Sequence, residues 1–318
     1  MRDAPLRFLA WLGRHGTTML AGGFFIGLAV PPLAALLRPL LGTLVFLLTA
    51  ATMLAVDWPE LASHLRRPIM VALILAWTMI GAPVLTAAAL AFAGLPAPLG
   101  KALVVWAASP PLISVPALAA LLGLDPALAL LVMVVGIFLT PLTLPPLVLA
   151  LIGVRLDIGV LQLTGNLAVF ILGAALLTAI ARRIIGGQRI KTHKFEVSGL
   201  AVFLLILFAI AVMDGIPKVV LARPGQVLLY AAAATATSLV LQLVSFVVFS
   251  RLERRTALTA GLIGGNHNMA VVWASLGPGA ASDLVLFLAV VQFPMFVLPA
   301  LVRPIYRRLA GAAGEPMR

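Results

Sequence analysis

The sequence predicts an all-α membrane protein with ten transmembrane helices, built as two inverted five-helix repeats (residues 1–155 and 156–318) and without a soluble domain. Of the 318 residues, 63% are hydrophobic and only 10% are charged, whereas a soluble domain is about half apolar and about a quarter charged. Apolar stretches of about 20 residues or more recur along the chain, which is the length that a helix needs to cross a bilayer. Strands of a membrane barrel are shorter, at about 9–11 residues. This composition excludes a soluble enzyme, a nucleic-acid-binding module and a disordered tail.

Ten apolar stretches are predicted to span the membrane, and the loops between them are short. In chain order they cover residues 17–37, 39–57, 68–94, 101–122, 126–153, 158–181, 197–214, 223–250, 256–277 and 282–302. The first follows a basic amphipathic lead without a cleavage pattern of the A-x-A type, so we expect it to be retained. The chain contains no cysteine, which excludes disulfides, thiolate metal sites and cysteine nucleophiles.

The formal net charge of +12 is divided unevenly between the two sides of the predicted ten-helix protein. With the N-terminus inside, all but five of the 22 Lys and Arg residues fall on the inner side. The five exceptions are Arg38, Lys101, Arg155, Lys218 and Arg223. Such an excess in short loops marks the cytoplasmic side, and anionic lipid headgroups, not nucleic acid, are the expected partners of these clusters. We therefore expect a multi-pass protein with both termini in the cytoplasm. The Ala- and Arg-rich composition and the compact loops favour a bacterial inner membrane.

Prolines and glycines at corresponding helix ends indicate that the chain contains an internal repeat. The matching pairs are Pro141 with Pro294, Pro146 with Pro299, and Gly123 with Gly277. Their spacing places the boundary between the repeats near residues 154–157, with five helices on each side. Because five is an odd number, the second repeat has to cross the membrane in the opposite direction to the first. Inverted repeats of this kind recur in secondary transporters.

Two predicted helices carry segments that cannot continue as regular helix. The fourth contains Ser109, Pro110, Pro111, Ser114 and Pro116 in its middle, and the ninth contains Gly264, Gly265, Asn266, His267 and Asn268 at the matching depth. Prolines remove backbone donors and disfavour helix in the residue before them. Paired glycines weaken a helix, and consecutive polar side chains are costly in hydrocarbon. Interrupted helices in corresponding positions of two repeats point to a transport site, so these ten residues are the predicted substrate- or ion-binding site.

His267 is the candidate for a proton-coupled step, since it is the only histidine predicted inside the membrane. An imidazole titrates near neutral pH, and the flanking Asn266 and Asn268 can set its tautomer or bind a carboxylate. The half-helix N-termini near Ser114 and Asn268 direct positive dipole ends toward an anion. A purely structural, neutral histidine is the alternative. No catalytic residue, metal ligand or cofactor is predicted.

Other polar and small residues are interpreted as packing or anchoring features. Gly23 and Gly27 have the spacing of a helix-packing contact, and Trp11, Trp58 and Tyr306 are placed as interface anchors. Interhelical hydrogen bonds are the favoured interpretation of Gln162, Asn166, Gln242 and Gln292. The hydroxyls of Thr235, Thr237 and Ser238 are expected to bond back to their own helix.

The broken segments and their surroundings resemble the bile acid:sodium symporter family. The resemblance is carried by WAASPPLISVPALAALLGLDPALALLVMVVGIFLTPLTLPPLV and GLIGGNHNMAVVWASLG, about a fifth of the chain. It implies a panel domain and a core domain in which the fourth and ninth helices break and cross. It also implies transport of an organic anion, from bile acids to small metabolic acids, usually with sodium.

The chain departs from that family at the positions that the resemblance assigns to sodium ligands. Those positions are occupied here by Val115, Pro116, Ala129, Met133, Gly261 and Gly265, and Asn266 alone is retained. A cation that has to lose its hydration shell needs several oxygen ligands, preferably including a carboxylate. No acidic residue is predicted at membrane depth. We therefore expect the two sodium sites of the family to be absent or degraded, while a weak site made of backbone carbonyls stays open.

The predicted function is transport of a small organic anion, bile-acid-like or a short carboxylate, by alternating access. Proton coupling, uniport and exchange remain open. The alternatives are a sodium-coupled symporter that uses backbone carbonyls, a proton-linked inorganic ion antiporter, and a purely structural or receptor role. An intramembrane enzyme is a further alternative, in which Ser109 or Ser114 with His267 imitates a Ser–His pair.

Overall fold

The computed structural model describes residues 4–58, 61, 68–153, 159–276 and 282–311. Within these ranges the chain is helical and contains no strand. The helices are α1 Ala4–Ala29, α2 Pro31–Ala55, α3 Pro68–Ala93, α4 Ala97–Ala108, α5 Val115–Leu121, α6 Pro126–Ile152, α7 Val160–Ile185, α8 Gly187–Thr192, α9 Lys194–Ala211, α10 Ile216–Ala222, α11 Pro224–Val248, α12 Arg254–Gly264, α13 Met269–Leu276 and α14 Ser282–Leu309.

Six of these helices are long and apolar enough to cross a membrane, counting only the residues that the structure describes. They are α2, α3, α6, α7, α9 and α11, and shorter apolar helices occur at Ala97–Ala108 and Asp283–Met295. Large apolar side chains also point outward, with Phe92 91% and Leu161 85% exposed. Helices that are hydrophobic all round are typical of a membrane span. The prediction of an all-α membrane protein is confirmed.

The predicted division between the first two spans was wrong. The sequence analysis separated residues 17–37 from 39–57, but α1 ends at Ala29 and α2 runs from Pro31 to Ala55. Val30 leaves the helical region because proline follows it, and Pro31 then begins the next helix, where its missing N–H is harmless. Arg38, which was assigned to a loop, lies in a 3₁₀ turn within α2 and forms an ion pair of 2.7 Å with Asp214.

The ends of two other predicted segments also change. The last helix runs on to Leu309 instead of ending at 302 and so includes Tyr306. The charged stretch that follows α7 is itself mostly helical, since α8 and the start of α9 occupy it. Charged residues interrupt the apolar pattern in both segments, but they do not interrupt the helix.

The chain divides into two compact units, of which the first comprises Met1–Trp58, Gly165–Leu229 and Ala270–Gln292. In this unit α1 packs along α9, and Gly23 and Gly27 lie against Ile206 and Ile210 of α9. The hydroxyl of Thr178 in α7 donates to Ala50 O in α2 over 2.9 Å. Glycine thus allows the helix backbones to approach closely, as predicted for Gly23 and Gly27.

Side chains from α7 also close the C-terminal end of α2 within the first unit. The Arg182 guanidinium donates to Val56 O over 2.6 Å and to Leu54 O over 3.4 Å. The last carbonyls of a helix have no partner within it, and a cation near them also interacts favourably with the helix dipole. Arg182, assigned to a loop by the sequence, therefore caps a neighbouring helix.

The second unit comprises Pro59–Thr164, Tyr230–Met269 and Phe293–Arg318. Its helix α6 packs against α3, α4, α5 and α12. The α6 helix begins at Asp125, whose side chain accepts hydrogen bonds of 3.0 Å from Ala127 N and Leu128 N, an N-cap of the ordinary kind. Both predicted broken segments belong to this unit. The predicted repeat boundary near 154–157, between residues 155 and 156, and its marker Gly277 lie outside the described residues.

Candidate functional site

The fourth predicted helix is interrupted at the predicted prolines. Helix α4 ends at Ala108, and Ser109 is extended (φ −69°, ψ 157°) because Pro110 follows it. Helix α5 begins at Val115, with Pro116 in its first turn. Ser109, Pro110 and Pro111 are buried, whereas Ser114 and Pro116 are only partly covered. The interruption follows directly from the chemistry of proline.

The ninth predicted helix is interrupted at the paired glycines. Helix α12 ends at Gly264 and α13 begins at Met269. Between them Gly265, Asn266, His267 and Asn268 are all buried. The amide of Asn266 donates to Leu262 O over 2.8 Å, which satisfies a carbonyl near the end of α12.

The two interruptions meet each other and pair as a short antiparallel bridge centred on Pro111 and His267. Leu112 N donates to Asn266 O over 3.0 Å, and Asn268 N donates to Pro110 O over 2.7 Å. Backbone groups that leave a helix inside a membrane protein must find partners, because hydrocarbon offers none. Each interrupted helix therefore supplies the hydrogen bonds that the other lacks. We call the paired segments 109–114 and 264–268 the crossing.

His267 lies at the centre of the crossing and is completely buried. Its Nδ1 lies 3.0 Å from Ser109 O and its Nε2 lies 2.9 Å from Gly264 O. A neutral imidazole carries one N–H and can donate to only one of the two carbonyls, whereas the imidazolium donates to both. The crossing thus offers two acceptors to a ring whose number of donors depends on its protonation.

The backbone of His267 is held by a neighbouring indole. Trp106 Nε1 in α4 donates to His267 O over 3.0 Å, and the two rings meet edge to face at 5.8 Å between centroids. Ser109 Oγ, in contrast, donates to Val105 O within its own helix over 2.8 Å. His267 therefore contacts the carbonyl of Ser109 and not its hydroxyl.

Two glycines of the ninth predicted helix stand where no side chain fits. A Cβ on Gly264 would meet Ser245 Oγ, with Ser245 Cβ at 2.9 Å, and a Cβ on Gly265 would meet Gln242 Cγ and lie 2.5 Å from Ser238 O. Gly136 of α6 plays the same part for the other segment, because a Cβ there would lie 2.8 Å from Pro111 Cδ. Gly264 and Gly265 therefore allow α11 to approach the crossing, and Gly136 allows α6 to do so.

Three successive buried hydrogen bonds connect α14 to the crossing, and the sequence did not predict this connection. Tyr306 Oη donates to Gln242 Oε1 over 2.8 Å, Gln242 Nε2 donates to Ser238 Oγ over 3.1 Å, and Ser238 Oγ donates to Gly265 O over 2.7 Å. Ser238 was expected to bond to its own helix and Tyr306 to anchor an interface; both expectations were wrong. Thr235 does bond to its own helix, at Ala231 O. Only for Gln242 did the sequence predict a hydrogen bond between helices, and Gln242 makes that bond with Tyr306.

A π-helical turn in α3 contacts the same region. It spans Trp77–Gly81, and Trp77 Nε1 donates to Ser245 Oγ, which lies beside Gly264, over 2.7 Å. The neighbouring hydroxyl of Thr78 is buried without a hydrogen-bond partner among the described residues. Such turns within α-helices are frequent at functional sites, and no pattern in the sequence of α3 had indicated this one.

Three of the positions that the resemblance assigns to sodium ligands are occupied by buried apolar side chains. Val115 and Ala129 are 0% exposed and Met133 is 1% exposed. None of their side chains carries an oxygen. Among the described residues, no group of three or more His, Cys, Asp or Glu side chains is close enough together to hold a metal ion.

Comparison with known proteins does not assign the chain to a family. No family model matches it, and no curated protein matches its sequence.

Proposed function

We propose that this protein is a secondary transporter that moves a small organic anion across the membrane by alternating access. The observation that carries the proposal is the crossing, in which two interrupted apolar helices pair through Pro111 and His267. Irregular backbone at membrane depth occurs where protein or a watery cavity satisfies it, and such half-helices surround the substrate sites of transporters.

We further propose membership of the bile acid:sodium symporter family, with ten spans in two inverted repeats and a site at the crossing. The interruptions at Ser109 and at Gly265 support this plan, because they lie in the two segments that the repeat aligns. Five spans per repeat make the two halves antiparallel, as the family plan requires. The excess of Lys and Arg on one side supports the proposal that both termini lie in the cytoplasm.

An anionic substrate fits the charge and the accessibility of the crossing. The segments 109–114 and 264–268 contain no acidic residue, so nothing there repels a carboxylate. Ser114 is partly exposed, whereas the other polar side chains of the crossing are buried. The N-terminus of α13 follows directly after Asn268 and favours negative charge. The substrate class is thus a bile-acid-like or short carboxylate.

The two carbonyls that face His267 support a proposal of proton coupling. Protonation of the ring satisfies both Ser109 O and Gly264 O but leaves a buried cation, which is costly without a counter-ion. A bound carboxylate supplies that counter-ion. The proton and the anion therefore each reduce the cost of binding the other, which is thermodynamic coupling between two ligands. The proton is taken up by the ring on one side and released with the anion on the other.

Three rival functions receive less support from the same geometry. A sodium symporter would have to rely on backbone carbonyls, since Val115, Ala129 and Met133 offer no oxygen, and a proton-linked inorganic ion antiporter usually needs an acidic side chain that the crossing lacks. A Ser–His enzyme needs the serine hydroxyl on the imidazole, but Ser109 Oγ donates to Val105 O instead.

The proposal is tested by flux measurements on the purified protein in proteoliposomes. Uptake of labelled cholate and of labelled isovalerate, both of which are carboxylates, is followed together with a pH-sensitive dye enclosed in the vesicles. We expect one class of acid to enter with protons. We expect His267→Ala to slow this uptake about tenfold or more, the change that follows from a loss of about 1.4 kcal/mol in the transition state.

The matched control is Thr49→Ala, which removes another fully buried polar side chain whose hydroxyl donates only to Val45 O in its own helix. It should keep wild-type flux. Equal flux in His267→Ala and the wild type would contradict the role of His267, and absence of uptake of both acids in vesicles holding folded protein would contradict the transport of these anions.

A further inference from the structure

A second possible site lies away from the crossing, within the first unit. An open cavity of about 660 Å³ is bounded by the first turns of α1 and by the turn between α8 and α9. Its lining includes Arg7, Trp11 and Arg14 from α1 and His193 and Glu196 from the other wall. The proposed transport site does not use any of these residues.

Two glycines close in sequence to the lining residues bring the backbones of α1 and α9 into contact. A Cβ on Gly13 would meet Phe195 O, and a Cβ on Gly199 would meet Leu9 O. Neither helix can therefore carry a larger residue at these positions without moving apart from the other. The contact is reciprocal, so it sets both the distance and the register of the walls on which the charged side chains stand.

The cationic side chains of the cavity share one face of α1. Arg7, Trp11 and Arg14 have the i, i+4, i+7 spacing that places residues on one side of a helix, and the two arginines are about 10 Å apart along the axis. Among the described residues, neither arginine forms an ion pair. Two arginines against one glutamate leave the lining positively charged.

Further positive charge gathers around Phe195 at the edge of the cavity. The Arg14 guanidinium carbon lies 5.8 Å from the Phe195 ring centroid, and Lys194 Nζ lies 5.2 Å from the same centroid. A cation over an aromatic face gains modestly from the ring, but the ring does not neutralise it. Two cations held near one ring repel each other unless an anion joins them.

Apolar side chains beside these cations remain uncovered. Leu6 is 45%, Phe8 51% and Trp11 42% exposed, and the Phe8 and Trp11 rings stack at 6.3 Å between centroids. A free phosphate or a soluble anion would leave this surface in water. A phospholipid covers it, because its acyl chains lie next to its charged headgroup, and tryptophan favours that boundary.

We infer that this cavity binds an anionic phospholipid, with the lipid phosphate held by Arg7 and Arg14 and the acyl chains against Leu6, Phe8 and Trp11. Guanidinium groups bind phosphate oxygens in a bidentate manner. The excess of positive charge selects an anionic over a zwitterionic headgroup. The inference is independent of what the protein transports.

The test is the thermal stability of the full chain in detergent with added phosphatidylglycerol or phosphatidylcholine. A ligand that binds only the folded state raises Tm, and we expect phosphatidylglycerol to raise it by about 3 °C or more above phosphatidylcholine. Arg7→Gln with Arg14→Gln should lose more than half of that difference. Arg183→Gln with Arg189→Gln, which removes two exposed arginines outside the cavity, should keep it.

Several outcomes would overturn the inference. These are no preference for phosphatidylglycerol, an equal loss in both double variants, or the same shift with inorganic phosphate at equal phosphate concentration, which would make the ligand a soluble phosphate. If the Arg7 and Arg14 double variant does not fold in phosphatidylcholine, the single variant Arg14→Gln is judged by the same criterion. Native mass spectrometry of the wild type, with the two lipids in equal amounts, should show preferential retention of phosphatidylglycerol.

Discussion

Gly264 and Gly265 are small for a reason that lies outside their own helix. Their Cα atoms face Ser245, Gln242 and Ser238 of α11 at distances that exclude a methyl group. Paired glycines weaken a helix, but here they also let α11 reach the crossing. The local effect was predictable from the sequence. The contact with α11 was not, because nothing in the spacing of Ser238, Gln242 and Ser245 indicates which residue of another helix they meet.

Substitution of Gly264 by alanine should destabilise the protein. The new Cβ meets Ser245 Oγ, which already accepts the hydrogen bond from Trp77 Nε1, and overpacking of this kind costs about 1–3 kcal/mol. Denaturant unfolding in detergent measures the loss. Gly165→Ala is the control, since a Cβ there has nothing within 4 Å and alanine favours helix. Equal stability of Gly264→Ala and Gly165→Ala would show that the crossing has room at this point.

At the scale of the elements, α11 connects the last helix to the crossing. Its Gln242 and Ser238 link Tyr306 of α14 to Gly265 O through three successive buried hydrogen bonds. Buried polar networks are stable only when each member is satisfied. Movement of α14 relative to α11 would therefore break bonds that orient the end of α12. Tyr306 acts on the crossing through Gln242 and Ser238, as a positioning residue.

Removal of the Tyr306 hydroxyl should cost stability and disturb transport together. Tyr306→Phe leaves Gln242 Oε1 without its donor at 2.8 Å, a loss of about 1–3 kcal/mol for a buried group. A double-mutant cycle with Gln242→Met isolates the interaction, and flux measured with each variant shows whether it reaches the substrate. Additive effects in both measurements would mean that the two side chains do not act together. A purely structural role would lower stability while leaving the substrate KM unchanged.

Some helix ends are determined by nearby prolines in the sequence, and others are determined by tertiary contacts. Proline positions determined the division between α1 and α2 and between α4 and α5, because a missing N–H and a fixed φ act within a few residues. The same rule predicted the interruption at 109–116, and it also explains why a helix begins at Pro31. The continuation of α14 past residue 302 had no such local signal. The end of α14 is instead held in place by Tyr306, which is buried and donates a hydrogen bond to Gln242.

At the scale of the whole molecule, the proposed transporter is distinguished from a sodium symporter by its coupling ion. We expect no sodium-specific stabilisation when sodium replaces potassium or choline at constant ionic strength in a thermal unfolding series. A site filled at about ten times its Kd would add about 1.4 kcal/mol to the stability, which a Tm measurement detects. The reason is the set of buried apolar side chains at Val115, Ala129 and Met133.

A saturable shift with sodium alone would contradict this prediction and would identify a site made of backbone carbonyls. Potassium and choline serve as the controls for ionic strength, and the Thr49→Ala protein serves as the control for a generally weakened fold. The measurement separates coupling from transport, because a sodium-independent protein can still carry an anion in the flux assay.

The sequence by itself determined the membrane class, the all-helical fold and the two places where helices fail. These properties depend on composition over about 20 residues or on the backbone chemistry of proline and glycine, and both can be seen in a short window of the chain. The sequence also pointed to His267, because it is the only histidine within a predicted span.

Only the tertiary structure decided which groups meet. The pairing of Pro110 with Asn268, the two carbonyls at His267 and the link from Tyr306 to Gly265 O join residues far apart in the chain. A polar group buried in a membrane protein has to find a partner, but the requirement does not name the partner. The partner is selected by which backbones can approach each other, and at the crossing that is decided by glycine and proline on three different helices.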